Sequence, residues 1–256
     1  MKNRITVIYL VNTFLISYVL WGMIIIANQF GYLRFGNPVC IILWILGAFG
    51  PTASSYIVQK KIGRITGFKD FIKKTFHLKA SVISYVLVIL FMILYFFYPA
   101  IRGEITLGIP IYQSVLTIPF MLFGGGMEEV GWRWVLQPEL EKKLPFTVAT
   151  IITAMIWTLW HLPLFFIPGT SQSNTNIWAF FILVIGVSFM LATIYDFGKN
   201  IWLCVLAHCA LNALPATFEF EQNLPVNTGI SIVLIVSALI MRQILAKKSV
   251  HVKNIS

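Results

Sequence analysis

The charged residues of the segment 123–138 are the strongest candidates for chemistry in this chain. The segment lies within a long apolar stretch, yet it contains Glu128, Glu129 and Arg133. A charged side chain at the centre of a bilayer costs roughly 2.5–3.5 kcal/mol on the most lenient scale. Charged residues so close together therefore have to face a protein interior or a wet cavity, and residues of this kind mark functional sites.

The spacing of these three residues gives them different roles. Glu129 and Arg133 are four residues apart, so they share one helical face in the order that favours an ion pair. Glu128 lies about 100° further round the helix. It is free to face a cavity, where a carboxylate can act as a general base on water. The alternative is a wholly structural cluster of the three side chains that holds helices together.

Two histidines and an asparagine lie in two further apolar stretches. His161 precedes Pro163, which removes a backbone donor beside the imidazole, while His208 and Asn212 are four residues apart and project from one helical face. Each group alone has a plain interpretation as a hydrogen-bonded packing residue. Together with Glu128, they place two imidazoles, a carboxylate and an amide on three segments, which indicates a shared site.

The composition indicates which elements must position these groups. The 256 residues are 58% hydrophobic and 11% charged, whereas a soluble domain is about 25% charged. We therefore predict an all-α, polytopic integral membrane protein that forms a single domain over residues 1–256. About 20 apolar residues cross the hydrocarbon core of a bilayer. On that measure there are eight transmembrane helices, at about 5–27, 38–58, 80–101, 111–137, 146–166, 177–195, 200–217 and 228–245.

The fourth predicted span contains residues that weaken a helix. Pro119 and the glycine run 124–126 lie inside it, just before Glu128. Each glycine costs roughly 1 kcal/mol in a helix relative to alanine. Irregular backbone at membrane depth is tolerated only beside protein or water. We therefore expect a kinked or locally opened backbone at this point.

Basic residues predict the orientation. The formal net charge is +10, and sixteen of the 19 Lys and Arg residues fall in the two termini and in alternate loops. Because cytoplasmic loops carry this excess, we expect both termini to be cytoplasmic. Nucleic-acid binding then has no separate support. One of these basic loops, at about 62–79, also has apolar residues at helical spacing, which predicts an amphipathic helix in the cytoplasmic headgroup layer.

Three short motifs, each in a separate span, carry a resemblance to a known family. The motifs are Glu128-Glu129-x-x-x-Arg133, Trp157-x-x-x-His161 and His208-x-x-x-Asn212. In this order, and over about 110–220, they resemble the bacterial members of the CAAX protease and bacteriocin-processing family of intramembrane proteases. The family usually has Phe where Trp157 stands. Because the aromatic ring is kept, we expect the chemistry to be unchanged.

The resemblance implies hydrolysis of a peptide bond within the membrane. At the matching positions, Glu128 would activate water, His161 would orient or polarise that water, and His208 with Asn212 would stabilise the oxyanion. Glu129 and Arg133 would support the site. The substrate implied is a small membrane-associated peptide or a lipidated protein tail, in peptide maturation, bacteriocin or signalling-peptide processing, or self-immunity. The location implied is the bacterial plasma membrane.

The resemblance leaves the need for a metal open. The family is commonly labelled metalloprotease, and Glu128, His161 and His208 could bind a divalent ion such as zinc. Catalytic zinc takes three protein ligands and a water molecule, but the chain lacks the His-Glu-x-x-His motif of many zinc proteases. We favour a mechanism that depends on the glutamate and needs no metal.

Two other functions are compatible with the same polar residues. Intramembrane Glu and His side chains can form the proton relay of a transporter. A non-catalytic binding or immunity protein could use the same cavity as a receptor. The sequence contains nothing that predicts the oligomeric state.

Overall fold

The computed structural model describes the backbone of residues 2–253 and the side chains of residues 4–244. Within these limits the chain is helical, apart from the antiparallel pairing of β1 (Thr106–Leu107) with β2 (Phe218–Glu219). The α-helices are α1 (Lys2–Gln29), α2 (Pro38–Ala48), α3 (Gly50–Lys61), α4 (Phe68–Thr75), α5 (Val82–Ile101), α6 (Ile111–Thr117), α7 (Glu129–Gly131), α8 (Gln137–Glu141), α9 (Phe146–His161), α10 (Ile177–Gly198), α11 (Ile201–Ala213) and α12 (Leu224–Lys253). Short 3-10 segments cover Ile118–Leu122, Gly126–Glu128, Leu162–Phe166, Gln172–Asn174 and Leu214–Ala216, and a π-helical turn covers Trp132–Leu136.

Long apolar helices dominate the molecule. In the described part of the chain, six helical segments are long and apolar enough to cross a membrane. They are Arg4–Gln29, Pro38–Lys61, Val82–Ile101, Phe146–Phe166, Ile177–Gly198 and Leu224–Ile244. The prediction of an all-α, polytopic membrane protein is therefore confirmed.

The two remaining predicted spans are shorter apolar helices, Ile111–Leu122 and Ile201–Ala216. The first is followed by a break in the predicted span 111–137, because Gly125 has φ +133°, a conformation that glycine adopts readily. The expectation of an opened backbone at the glycine run is thus confirmed, and 111–137 is not one continuous helix. The crossing of the membrane by these two segments stays a prediction.

Small residues let the helices approach closely. A Cβ added to Gly186 of α10 would lie 2.6 Å from the Cα of Ser231 in α12, and one added to Gly50 would lie 2.1 Å from Ser17 Oγ of α1. Between membrane helices, such contacts replace the hydrophobic driving force that exists in water. These contacts fix α1 against α3 and α10 against α12.

Helix α4 covers one end of the bundle. Its Phe71 is buried and stacks on Trp134, with ring centroids 5.8 Å apart. Asp70 and Lys74 form an ion pair of 2.9 Å on the exposed side, and this hydrogen bond holds the pKa of the Asp70 carboxyl below its usual value. After α4, the amide of Asn200 donates to the carbonyl of His77 at 2.8 Å. This bond ties the segment that follows α4 to the start of α11.

Contacts between loops define the two ends of the bundle. At the basic end, Arg64 pairs with Glu139 at 3.4 Å, and Arg242 pairs with Asp196. At the opposite end, β1 pairs with β2, and a Cβ added to Gly169 would touch Phe35. Loops predicted to share one side of the membrane therefore meet at one end. Four of the basic residues used for the orientation, Lys2, Lys247, Lys248 and Lys253, have side chains outside the described set.

Candidate active site

The predicted site residues meet at a cavity of about 600 Å³. Glu128, His161, His208 and Asn212 all line it, together with apolar and aromatic side chains of α1, α2, α5, α9, α10 and α11. The structure therefore brings together the four residues with predicted catalytic roles. The roles themselves stay predictions.

Glu128 projects into the cavity just after the break in the chain. Gly125 reverses the backbone with φ +133°, and its carbonyl accepts the N–H of Glu128 at 2.9 Å. Glu128 is buried, with 5% of its surface exposed. Its Oε2 accepts a hydrogen bond from Trp157 Nε1 at 2.7 Å. One carboxylate oxygen is thus held by the neighbouring helix α9.

His161 faces the same carboxylate. Its Nδ1 lies 2.9 Å from the carbonyl oxygen of Trp157, and a carbonyl only accepts, so Nδ1 carries the proton. In the neutral ring, Nε2 is then an acceptor, and it lies 4.0 Å from Oε2 of Glu128. Two acceptors at this separation leave a place for a donor between them, and a water molecule can supply an O–H to each.

Pro163 has the effect on the end of α9 that the sequence suggests. A proline has no N–H to donate to the carbonyl four residues earlier, which is that of Leu159. The hydroxyl of Tyr18 in α1 donates to this carbonyl at 2.6 Å. Helix α1 therefore holds the end of α9 that carries His161.

Gly125 is the point on which the polar groups converge. A Cβ built on this glycine would lie 2.8 Å from Asn212 Nδ2, 3.1 Å from His208 Nε2 and 3.2 Å from Glu128 Oε1. Asn212 Nδ2 also donates to the carbonyl of Gly124 at 2.9 Å. Only a residue without a side chain fits here, both because of φ and because of the space. The sequence shows the glycine run but does not show that one glycine is the floor of the site.

Glu129 and Arg133 form the predicted ion pair behind the cavity. Arg133 Nε donates to Glu129 Oε2 at 2.9 Å, and both side chains are fully buried. The second oxygen of Glu129 lies 2.9 Å from His208 Nδ1. Arg133 Nη1 also donates to Ser188 Oγ at 3.0 Å. Both oxygens of Glu129 are therefore occupied, and this residue orients the His208 ring.

Two comparisons relate this chain to known proteins. Residues 110–214 match the family described as type II CAAX prenyl endopeptidase, Rce1-like. The chain is also 24% identical to CAAX prenyl protease 2 of Methanococcus maripaludis over 262 residues, which covers 91% of this chain and 92% of the relative.

Both matches support membership of the CAAX protease and bacteriocin-processing family. The predicted resemblance is therefore confirmed, and the family supports a membrane-embedded endopeptidase that acts on a peptide or protein. The matched residues 110–214 include Glu128, His161, His208 and Asn212. The break at the glycine run and the short helix α11 lie within this matched part of the protease.

The structure shows how the predicted metal ligands are arranged. Among the side chains that the structure describes, no group of three or more His, Cys, Asp or Glu residues is arranged to hold a metal ion. Glu128, His161 and His208 face one cavity, but they do not form the three-ligand set that catalytic zinc takes. The preference for a mechanism without a metal stays a prediction.

Trp157 does more than the sequence suggests. We expected its replacement of the usual Phe to leave the chemistry unchanged. In this protease, the indole N–H donates to Glu128 Oε2 at 2.7 Å, a contact that a Phe ring cannot make. The same ring lies edge-on to the His208 imidazole, with centroids 5.5 Å apart, and Arg133 lies 5.5 Å from its centre. The sequence motif identifies the aromatic position, but the hydrogen bond depends on how α9 packs against Glu128.

Proposed function

We propose that this protein is a glutamate-dependent intramembrane endopeptidase in which Glu128 activates the attacking water. The observation that carries the proposal is the convergence of Glu128, His208 and Asn212 on Gly125, with His161 facing the same carboxylate. The groups come from three separate segments of the chain. Three of them can take up or share a proton, and one is an amide that can donate to a developing oxyanion.

The first step adds water to the peptide carbonyl. A water molecule placed between Glu128 and His161 Nε2 donates one O–H to each, and Glu128 accepts a proton as the water oxygen bonds to the carbonyl carbon. The carbonyl oxygen becomes an oxyanion beside Gly125. Asn212 Nδ2 and the Nε2–H of a protonated His208 can both donate to it, since His208 Nδ1 is occupied by Glu129. One oxyanion donor typically contributes about 2.7–4 kcal/mol.

The second step breaks the peptide bond. Glu128 gives its proton to the amide nitrogen, the C–N bond breaks, and the oxyanion electrons reform a carbonyl. The products are a carboxylic acid and an amine, so one water molecule is consumed and Glu128 returns to its starting state. The apolar cavity walls keep bulk water away, which strengthens the electrostatic contacts inside.

The substrate class follows from the cavity and from the relative. The archaeal relative is named a CAAX prenyl protease, and the walls of this cavity are predominantly apolar and aromatic. We propose a membrane-associated peptide or lipidated protein tail as the substrate. Peptide maturation, or the processing of a bacteriocin or signalling peptide, is the corresponding role. We also propose that the chain crosses a bacterial plasma membrane eight times, with both termini in the cytoplasm.

The test is direct detection of products. Purified full-length protein in liposomes would be incubated with a pool of synthetic membrane-associated peptides, and the products read by mass spectrometry. The account predicts pairs of new peptides whose masses add up to the mass of a substrate plus one water molecule. If no peptide in the pool is cut while the protein still confers a cellular phenotype, a receptor or immunity role replaces the protease.

A further inference from the structure

The cavity reaches the loops at one end of the bundle. Its lining includes Ser171, Gln172 and Thr175, between α9 and α10, and Gln222, between β2 and α12. Ser171 and Gln222 are exposed, and the other two are half-buried. These loops lie at the end where β1 pairs with β2. The exposed polar residues therefore form a mouth at this end, away from the basic end.

The helical residues of the lining come from the same half of the molecule. Helix α9 contributes Trp157, Trp160 and His161, all within its last two turns, and α10 contributes residues 180–187, from its first half. Helices α9 and α10 run in opposite directions, so the end of α9 and the start of α10 lie side by side. The cavity therefore lies next to the loop that joins them. Glu128 and His208 form the floor of this cavity.

The basic end of the site is closed by packed side chains. Below Glu128, the buried Arg133 bonds to Glu129 and Ser188, and Gln137 Nε2 donates to Thr150 Oγ1 at 2.9 Å. The helical segment from Glu129 to Glu141 adds about 18 Å of protein between the site and that end. Helix α4 then covers the basic end of the bundle. Among the described residues, none between Glu128 and Trp157 lines the cavity, so the cavity does not extend to the basic end.

The lipid-facing side of the cavity is apolar. Phe120 and Phe123 line it, and they are 69% and 52% exposed. Exposed aromatic rings at membrane depth face lipid, so an apolar segment can enter between them from the bilayer. Within the described part of the chain, no Lys or Arg lines the cavity. The lining therefore offers no Lys or Arg to pair with a carboxylate or a phosphate.

Building on the protease function proposed above, we infer that the catalytic cavity opens to the face of the membrane opposite the basic end. The basic end is cytoplasmic by the distribution of Lys and Arg. The substrate is then a peptide presented from outside the cytoplasm. It has an apolar anchor in the outer half of the bilayer and an uncharged polar segment at the mouth formed by Ser171 and Gln222.

Thiol labelling tests the side of access. Full-length Gln222→Cys would be treated with a membrane-impermeant maleimide in intact cells, beside Lys69→Cys on the exposed face of α4. The native cysteines Cys40, Cys204 and Cys209 are buried. Labelling of the unsubstituted protein measures their background reaction with the maleimide. The account predicts that Gln222→Cys is labelled in intact cells, while Lys69→Cys is labelled only after permeabilisation. The reverse pattern, or labelling of both only after permeabilisation, overturns the inference.

A second measurement links the mouth to cleavage. Purified Ser171→Cys would be modified with a bulky maleimide and assayed on synthetic peptides that carry one apolar anchor and an uncharged polar flank. Modification should abolish product formation, whereas modified Lys69→Cys should cut as well as before modification. Full cleavage by modified Ser171→Cys would show that substrate does not enter at this mouth. Absence of products from the unsubstituted protein would instead contradict the protease function, and the labelling pattern would still report the side of access.

Discussion

The indole nitrogen of Trp157 lies 2.7 Å from Oε2 of Glu128 and donates a hydrogen bond to it. The contact joins α9 to the segment that follows the glycine run, and it leaves Oε1 of Glu128 directed towards Gly125. The orientation of the proposed base is therefore set by a neighbouring helix. It does not depend on its own short 3-10 segment alone.

Trp157→Phe should reduce turnover and leave substrate binding unchanged. The Phe ring can keep the edge contact with His208, but the donor to Glu128 is lost. A hydrogen bond to a charged group contributes about 1.5–3 kcal/mol, so kcat should fall roughly 10- to 100-fold. The measurement is kcat and KM on one cleaved peptide. Trp134→Phe makes the same change at an indole that packs on Phe71 away from the cavity, and should keep kcat. Equal kcat in Trp157→Phe and the unsubstituted protein would refute this role.

Gly125→Ala should inactivate the protease, whereas Gly124→Ala should not. A Cβ added at Gly125 would lie 2.8 Å from Asn212 Nδ2, and the alanine would have to adopt φ +133°. A Cβ added at Gly124 would lie 3.4 Å from Met121 Sδ, which is an ordinary contact. Backbone strain of this kind costs about 1–3 kcal/mol. Cleavage rate and thermal unfolding in detergent would be compared for the two variants. Equal cleavage rates in the two variants would contradict the role given to Gly125.

Arg133→Met should destabilise the protein strongly. It leaves the buried carboxylate of Glu129 without its cation, and breaking a buried pair in this way costs about 3–5 kcal/mol. Arg64→Met is the matched control, because its partner contact with Glu139 is longer and its side chain is 40% exposed. An exposed pair contributes at most about 1 kcal/mol. Thermal unfolding in detergent checks the difference. Similar unfolding temperatures for the two variants would argue against a structural role for the buried pair.

Cleavage should survive removal of divalent metal ions. The described side chains do not form a three-ligand set, and each step of the proposed reaction uses residues of the chain. Purified protein would be dialysed against a chelator and assayed on a peptide that it cuts, with metal content determined in parallel. Stoichiometric zinc in active protein, lost together with activity and restored with it, would replace the metal-free account.

Sequence patterns predict the pairs that depend on helical spacing. The Glu129–Arg133 ion pair and the opened backbone at the glycine run both follow from local rules, and both are present. The common face of His208 and Asn212 also follows from spacing, since both contact the space above Gly125.

Features that depend on packing between helices could not be predicted in this way. The hydrogen bond from Trp157 to Glu128 requires knowledge of how α9 faces the glycine run.

The most direct test of the central claim is the cleavage rate of Glu128→Gln. The substitution keeps the size of the side chain and an oxygen for the Trp157 hydrogen bond, but it removes the group that accepts a proton from water. General-base catalysis contributes about 10²–10⁴-fold, so the rate should fall at least roughly 100-fold while the unfolding temperature is retained. A Glu128→Gln protein that cuts its peptide at the unsubstituted rate would contradict the account.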